Sequence, residues 1–234
     1  MEPDIATGFI WFVAFLFSTT VHEAMHAFVA WKGGDSTAYH GGQVSLSPIP
    51  HIRREPIGML VVPLLTSMTQ GWAMGWASAP YDPVWAERHP KRAALMAAAG
   101  PAGNFMIAAV AFALIKAGLL AGFFTAPASA SFSRVIVSAA AGDSNFVATL
   151  LSVLLMLNVL LGTFNLLPLP PLDGGSVFSI FLPENLGRRM RELQQNGAFS
   201  ILGLLVAWRV FPYLTGPLFS AVLKLVHPDA SYGG

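Results

Sequence analysis

The chain reads as an all-α polytopic membrane protein of about four to six transmembrane or re-entrant helical segments, with a short β-strand or hairpin beside a candidate site. Composition is the first observation behind this. The chain is 54% hydrophobic and 11% charged, whereas soluble domains run near one-quarter charged. The second is length, because several apolar runs reach the roughly 20 residues that cross a bilayer as a helix. The third is the missing pattern of a membrane barrel, whose strands alternate apolar and polar residues. A net charge of +1 gives no basis for binding nucleic acid, and the absence of cysteine removes disulfides and thiolate metal ligands.

The first apolar run, Ile5 to Trp31, ends at Lys32-Gly33-Gly34-Asp35, a helix stop. It lacks the basic start and small-residue cleavage site of a signal peptide. Residues 36–51 form a loop in which Gln43-Val44-Ser45-Leu46-Ser47 alternates polar and apolar between Gly41-Gly42 and Pro48, a strand pattern. Such a strand could pair with an extended peptide; an ordinary turn-rich connection is the alternative. Pro56 to Ala79 is apolar but punctuated by Gly58, Pro63, Gly71 and Gly75. Three further runs follow, Ala93 to Phe124, Asn145 to Leu167 and Gly197 to Val226, the last interrupted by Pro212, Gly216 and Pro217. Too little chain remains for a separate soluble domain, so residues 1–234 are expected to form one membrane-embedded domain, with a core at about 8–182 and a C-terminal helical segment at about 197–226.

Basic residues orient the spans. They gather after the first run (Lys32, Arg53, Arg54), before the third (Arg88, Lys91, Arg92) and after the fourth (Arg188, Arg189, Arg191). The N-terminus carries the acids Glu2 and Asp4, and the loop between the third and fourth runs carries Arg134 alone. Both ends of the 56–79 segment then fall on the inside, which makes it re-entrant or broken. The alternative is that it spans and one basic loop lies outside.

Within the first run, His22-Glu23-Ala24-Met25-His26 is an HExxH motif. Shuffling this composition yields such a motif about 0.004 times per chain, so accident is a poor explanation. Positions i and i+4 share a helix face, so His22 and His26 can grip one metal ion. Glu23, roughly 100° further round, can reach a metal-bound water without binding the metal. Charged groups in a membrane helix are costly unless they face inward to partners, and Ser18 and Thr19, one turn earlier, extend the same polar stripe.

A catalytic zinc takes three protein ligands and keeps a position open. The soluble extension HExxHxxGxxH is excluded, because Val29 and Lys32 stand where it needs Gly and His. By chemistry the third ligand comes from Asp35, His40, His51, Glu55, Asp173 or Glu184. Asp173 is the strongest, held between Pro170-Pro171 and Gly174-Gly175 after a long apolar run with no basic partner nearby. Asn165, an uncharged amide close before that break, is a candidate oxyanion donor or an interhelical hydrogen-bonding group. The spacing of Gly100-Pro101 and Gly103 marks Asn104 as a packing position.

Three motifs in order, His22-Glu23-Ala24-Met25-His26, Gly100-Pro101-Ala102-Gly103-Asn104, and Asn165-Leu166-Leu167-Pro168 running into Pro170-Pro171-Leu172-Asp173-Gly174-Gly175, resemble the site-2 protease family of intramembrane zinc metalloproteases, peptidase family M50. The resemblance covers about residues 8–182 and is to the compact branch, without a PDZ or CBS domain. Arg53-Arg54-Glu55 and Ser176 depart from that branch's usual loops. The resemblance implies one Zn2+ per chain held by His22, His26 and Asp173, with Glu23 as general base. It also implies a membrane-spanning helical protein as substrate. A helix hides its carbonyls in hydrogen bonds, so Gly, Pro or Asn is expected near the cut. The expected setting is a prokaryotic cytoplasmic membrane, with the site toward the cytoplasm and membrane lipid as a partner. A metal-binding transporter, a sensor or an inactive scaffold is the competing reading.

Overall fold

The computed structural model describes residues 4–140 and 145–229; Glu2, one of the acids used for orientation, lies outside them. The described residues are mostly helical. Helix α1, Ile5–Lys32, begins where Asp4 accepts from the backbone N–H groups of Ala6 and Thr7 at 3.1 and 3.2 Å, satisfying two of the donors that every helix start leaves open. It ends at Gly33, and Gly34 turns the chain with φ +102°. Two short helices follow, α2 (Thr37–His40) and α3 (Pro48–Arg54).

Of the two alternatives for residues 43–47, the turn-rich connection holds and not the strand; the chain bends there. The alternation was real, but local contacts win. The Ser47 N–H donates to Ser45 Oγ at 3.0 Å, and His51 Nε2 bonds the Ser45 carbonyl at 3.0 Å. A ladder partner would need that carbonyl and that N–H.

The 56–79 segment enters as a π-helical turn, Ile57–Val61, continues as α4, Val62–Gln70, and reverses at Gly71, whose φ is +76°. It returns in extended form: the Met74 N–H reaches Thr66 Oγ1 at 2.9 Å and the Trp76 N–H reaches the Gly58 carbonyl at 3.1 Å. Its two ends meet where Ser78 Oγ donates to Glu55 at 2.7 Å. The segment therefore doubles back on itself.

After α5 (Pro83–Arg88) comes α6, Pro90–Leu120, with Pro at its first turn, where no N–H is needed, and Pro101 within it. Its buried positions Ala93, Ala97, Gly100, Asn104, Ala108, Ala111 and Ile115 recur every three or four residues. This stripe of small residues lets α6 lie close to both neighbours. The opposite face, with Leu95, Met106, Val110 and Leu114, is exposed, as a lipid-facing surface is. A two-stranded antiparallel ladder, β1 (Phe124–Thr125) with β2 (Val137–Ser138), sits in the loop beyond α6. Its connection is pinned by Ser152, which accepts from the N–H groups of Val135 and Ile136 at 3.0 and 3.3 Å.

Helix α7, Phe146–Asn165, is followed by a turn with a cis Pro170–Pro171 bond, then α8 (Asp173–Ser179) and the charged amphipathic α9 (Glu184–Gln195). The last apolar run is two helices, α10 (Gly197–Val210) and α11 (Pro212–Val226), bent by 51° at the Phe211-Pro212 junction. Helices α1, α6 and α7 are each long and apolar enough to cross a membrane, and the bent pair can make a fourth span. The protein is an integral membrane protein of helical type. Trp11, Phe15, Leu161, Phe164, Trp208 and Phe219 line an apolar cavity of about 720 Å3 between α1, α7, the 56–79 hairpin, the 131–133 loop and the bent pair.

Candidate metal centre

His22 is the eighteenth residue of α1, so at 1.5 Å per residue it lies about 26 Å along the helix. That places it toward the end where the basic residues collect. Arg92 on α6 donates to the Gly33 carbonyl at 3.0 Å, joining two of the basic segments there. The polar stripe faces inward: Ser18, Thr19, Thr20, His22, Glu23 and His26 are all buried.

Both imidazoles are held by Nδ1. His22 Nδ1 donates to Asn104 Oδ1 at 2.7 Å and His26 Nδ1 to the Met96 carbonyl at 2.7 Å. Asn104 can only accept there, because its Nδ2 donates to Asn158 Oδ1 at 2.8 Å, and Asn158 in turn donates to Ser18 Oγ at 2.9 Å. With both Nδ1 atoms protonated, both Nε2 atoms carry lone pairs. These lone pairs converge at 2.9 Å on each other, and Asp173 brings its Oδ2 to 3.2 Å of His22 Nε2 and its Oδ1 to 3.3 Å of His26 Nε2.

Three acceptors packed together repel unless a cation lies between them. Asp173 Oδ2 is buried with no hydrogen-bond donor. Metal–ligand bonds of about 2.0–2.1 Å in a tetrahedron place ligand atoms about 3.3–3.4 Å apart, close to the spacing here. A further fit comes from α6. A Cβ on Gly100 would run into His26 Nε2 and His22 Nε2, so only glycine leaves the space between the donors open. His22, His26 and Asp173 form the one group of three His, Cys, Asp or Glu side chains among the described residues that can hold a metal ion.

Glu23 is 5% exposed, and its carboxylate takes no hydrogen bond from any described residue, which leaves it free to accept a proton. Asn165 stands apart from the three donors in the hydrogen-bond pattern, its amide donating to the Leu161 carbonyl one turn back at 3.0 Å. The remaining candidates have other work. Asp35 accepts from Thr37 Oγ1 at 2.6 Å, the Thr37 N–H at 2.9 Å and the Asp82 N–H at 2.8 Å, tying the end of α1 to the start of α5. Burial raises its pKa, but these hydrogen bonds outweigh burial and hold it below the usual aspartate value. Glu55 is bonded to Ser78, His51 is buried against Ser45, and His40 and Glu184 are exposed.

Sequence reasoning treated Asn104 as a packing residue and passed over Asn158. Both are fully buried and link α1, α6 and α7 in one hydrogen-bonded circuit behind His22. The available signal was a lone amide in the middle of an apolar run, a group that must find partners in a membrane.

The model of peptidase family M50 matches residues 10–208. The candidate zinc metalloprotease YwhC of Bacillus subtilis (strain 168) is 30% identical over 218 residues, 91% of this chain and 89% of that protein. The candidate zinc metalloprotease Rip2 of Mycolicibacterium smegmatis (strain ATCC 700084 / mc(2)155) is 29% identical over 194 residues, 82% of this chain and 64% of that protein's length. No solved structure matches. With the family match spanning most of the chain and falling on the helices that bring His22, His26 and Asp173 together, this protein belongs to peptidase family M50, the site-2 protease family.

Proposed function

We propose that the chain is an intramembrane zinc endopeptidase that hydrolyses peptide bonds of membrane-spanning helical segments. The observation that carries this reading is the convergence of the His22, His26 and Asp173 lone pairs at a place walled by spanning helices, beside a buried Glu23 whose carboxylate takes no hydrogen bond from the described residues. One zinc ion held by those three donors would lower the pKa of water and polarise a carbonyl.

The chain's own residues supply the rest. Asn104 and the Met96 carbonyl fix both rings in the tautomer that offers Nε2. Glu23 takes a proton from water and returns it to the leaving amine. Burial among apolar helices excludes bulk water and strengthens each polar contact at the reacting atoms. Asn165 is the candidate donor to the oxyanion, through the amide N–H that it does not give to the Leu161 carbonyl.

The substrate class follows from the setting: donors about 26 Å along a spanning helix are best placed for a segment that is itself in the membrane. Such a helix must unwind first, which favours Gly, Pro or Asn near the cut. The clustering of basic residues around the donor end supports a site that faces the cytoplasm, and the membrane we propose is a prokaryotic cytoplasmic one.

The test is Glu23→Gln against wild type, with metal content and cleavage of a model membrane helix measured on the same preparations. Zinc retained and cleavage abolished is the expected result. Equal cleavage by both would remove Glu23 from the chemistry. Zinc bound by both with no cleavage by either would favour a metal-binding transporter, sensor or scaffold.

A further inference from the structure

A second, smaller cavity of about 100 Å3 lies between Asp173, the start of α6 and α9, room for about three waters at roughly 30 Å3 each. Asp173, Pro171, Ser176 and Ser179 form one wall, Met96 and Ala97 of α6 another, and Arg191 and Gln194 of α9 close it. Helix α9 is fastened there at two points. Gln194 Nε2 donates to the Leu172 carbonyl, immediately before Asp173, at 3.1 Å. Gly187 is buried so closely on the Ser179 carbonyl that a side chain could not fit.

Arg191 is the unexplained group. It is half-buried, and its Nη1 lies 3.4 Å from where a Cβ on Gly187 would stand, beside Ser179 on the cavity wall. It makes no hydrogen bond or ion pair with any described residue. The next residue, Glu192, faces Arg188 at 3.9 Å instead. Glu87 stands at the rim, exposed and not paired with it. A partly desolvated guanidinium without a partner is unfavourable, and its planar fork is shaped to take a carboxylate through two hydrogen bonds.

We propose that Arg191 receives the carboxylate released by peptide hydrolysis, in the cavity between Asp173 and α9. The inference rests on the protease reading. In that reaction the C–N bond breaks, the water oxygen joins the acyl carbon, and a proton goes to the departing nitrogen. The acyl product ends as a carboxylate at the three donors, and the Asp173-lined cavity is the adjoining space that offers it a cation. Arg191 is then the residue that draws the new C-terminus off the site.

The experiment measures equilibrium binding of N-acetyl-leucine and of its uncharged amide, N-acetyl-leucinamide, to zinc-loaded protein in detergent. Wild type, Arg191→Gln and Arg191→Lys are compared, with zinc content and cleavage of a model membrane helix recorded for each. Wild type should bind the carboxylate at least about tenfold more tightly than the amide, and Arg191→Gln should lose most of that preference while keeping its zinc. An equal affinity in wild type, or a preference that survives Arg191→Gln, overturns the proposal, since the donors or the ion alone would then account for carboxylate binding. If the Gln variant does not hold zinc, the Lys variant decides: it keeps the charge but loses the fork, so a preference cut at least about threefold supports the assignment and an unchanged one overturns it. Carboxylate binding that depends on Arg191 in protein that cuts no helix would strike the protease reading instead.

Discussion

Replacing Gly100 by alanine adds one methyl at the place where α6 faces the donors. Its ideal position lies 2.5 Å from His22 Nε2 and 2.5 Å from His26 Cε1, whereas van der Waals contacts between such atoms begin near 3.5 Å. The overlap of about 1 Å has to be relieved, and the rings are poorly placed to relieve it. Each is tethered at Nδ1 by a 2.7 Å hydrogen bond, one to Asn104 and one to Met96. Forcing a methyl into a packed site costs about 1–3 kcal/mol. Because the strain falls on the donors, it should appear as a loss of zinc affinity of about fivefold to 150-fold. The assay is competition for zinc against a chelator of known affinity, on detergent-purified protein. Gly103→Ala is the control, since its added carbon would meet the flexible Met25 side chain at 3.0 Å rather than the donors; it should keep its affinity within about threefold. Unchanged zinc affinity in Gly100→Ala would refute the placement of α6 against the donor set.

Asn104→Ala should lower zinc affinity by about 10- to 100-fold, because His22 Nδ1 loses the acceptor that fixes its tautomer; the chelator competition reads this directly. Asn158→Ala removes the nearer acceptor of buried Asn104 Nδ2 and the donor to buried Ser18 Oγ, and should cost about 1–3 kcal/mol of stability, seen as a lower Tm. Gly58→Ala should loosen the 56–79 hairpin by about 1–3 kcal/mol, because the added carbon meets Trp76, and proteolysis at the Gly71 turn should then speed up. Asp35→Asn should destabilise the protein by about 1–3 kcal/mol at neutral pH. The folded pKa of Asp35 lies below its ordinary value of 3.8, so the carboxylate's contribution is full above that value and is lost as pH falls through the lower folded value. The Tm gap between wild type and variant should close in that acid range and nowhere above it.

The spans were legible because membrane helices announce themselves by length. The run read as Ile5 to Trp31 is Ile5–Lys32, and the run read as Asn145 to Leu167 is Phe146–Asn165. The HExxH pair was legible because its geometry is local, one helical turn. Asp173 was reachable because a carboxylate at a break in an apolar chain demands a counter-charge. The circuit behind His22 was not legible. Its members are separated by 82, 54 and 140 residues, and no local rule says which amide meets which. At 43–47, where the sequence left a strand and a turn-rich connection open, the reason is the opposite one. The pattern there is short enough that two serine contacts and one histidine decide the backbone, and alternation over five residues cannot outweigh them. The hairpin at 56–79 came from charge counting rather than from periodicity, and the glycines that interrupt its pattern are those that let its arms touch: a Cβ on Gly75 would strike the Gly58 carbonyl.

The donors come from opposite ends of the chain order, two from α1 and one from α8, with α6 and α7 threaded between them. During synthesis the HExxH helix emerges first and waits, carrying both histidines but an incomplete set. The centre can close only after the two later spans have entered the membrane and the Asp173 turn has left the ribosome. A chain stalled or truncated before that turn carries His22-Glu23-Ala24-Met25-His26 and no third donor to go with it. Delivery of the Asp173 turn, before α9 to α11 are made, is thus the step that completes the donor set.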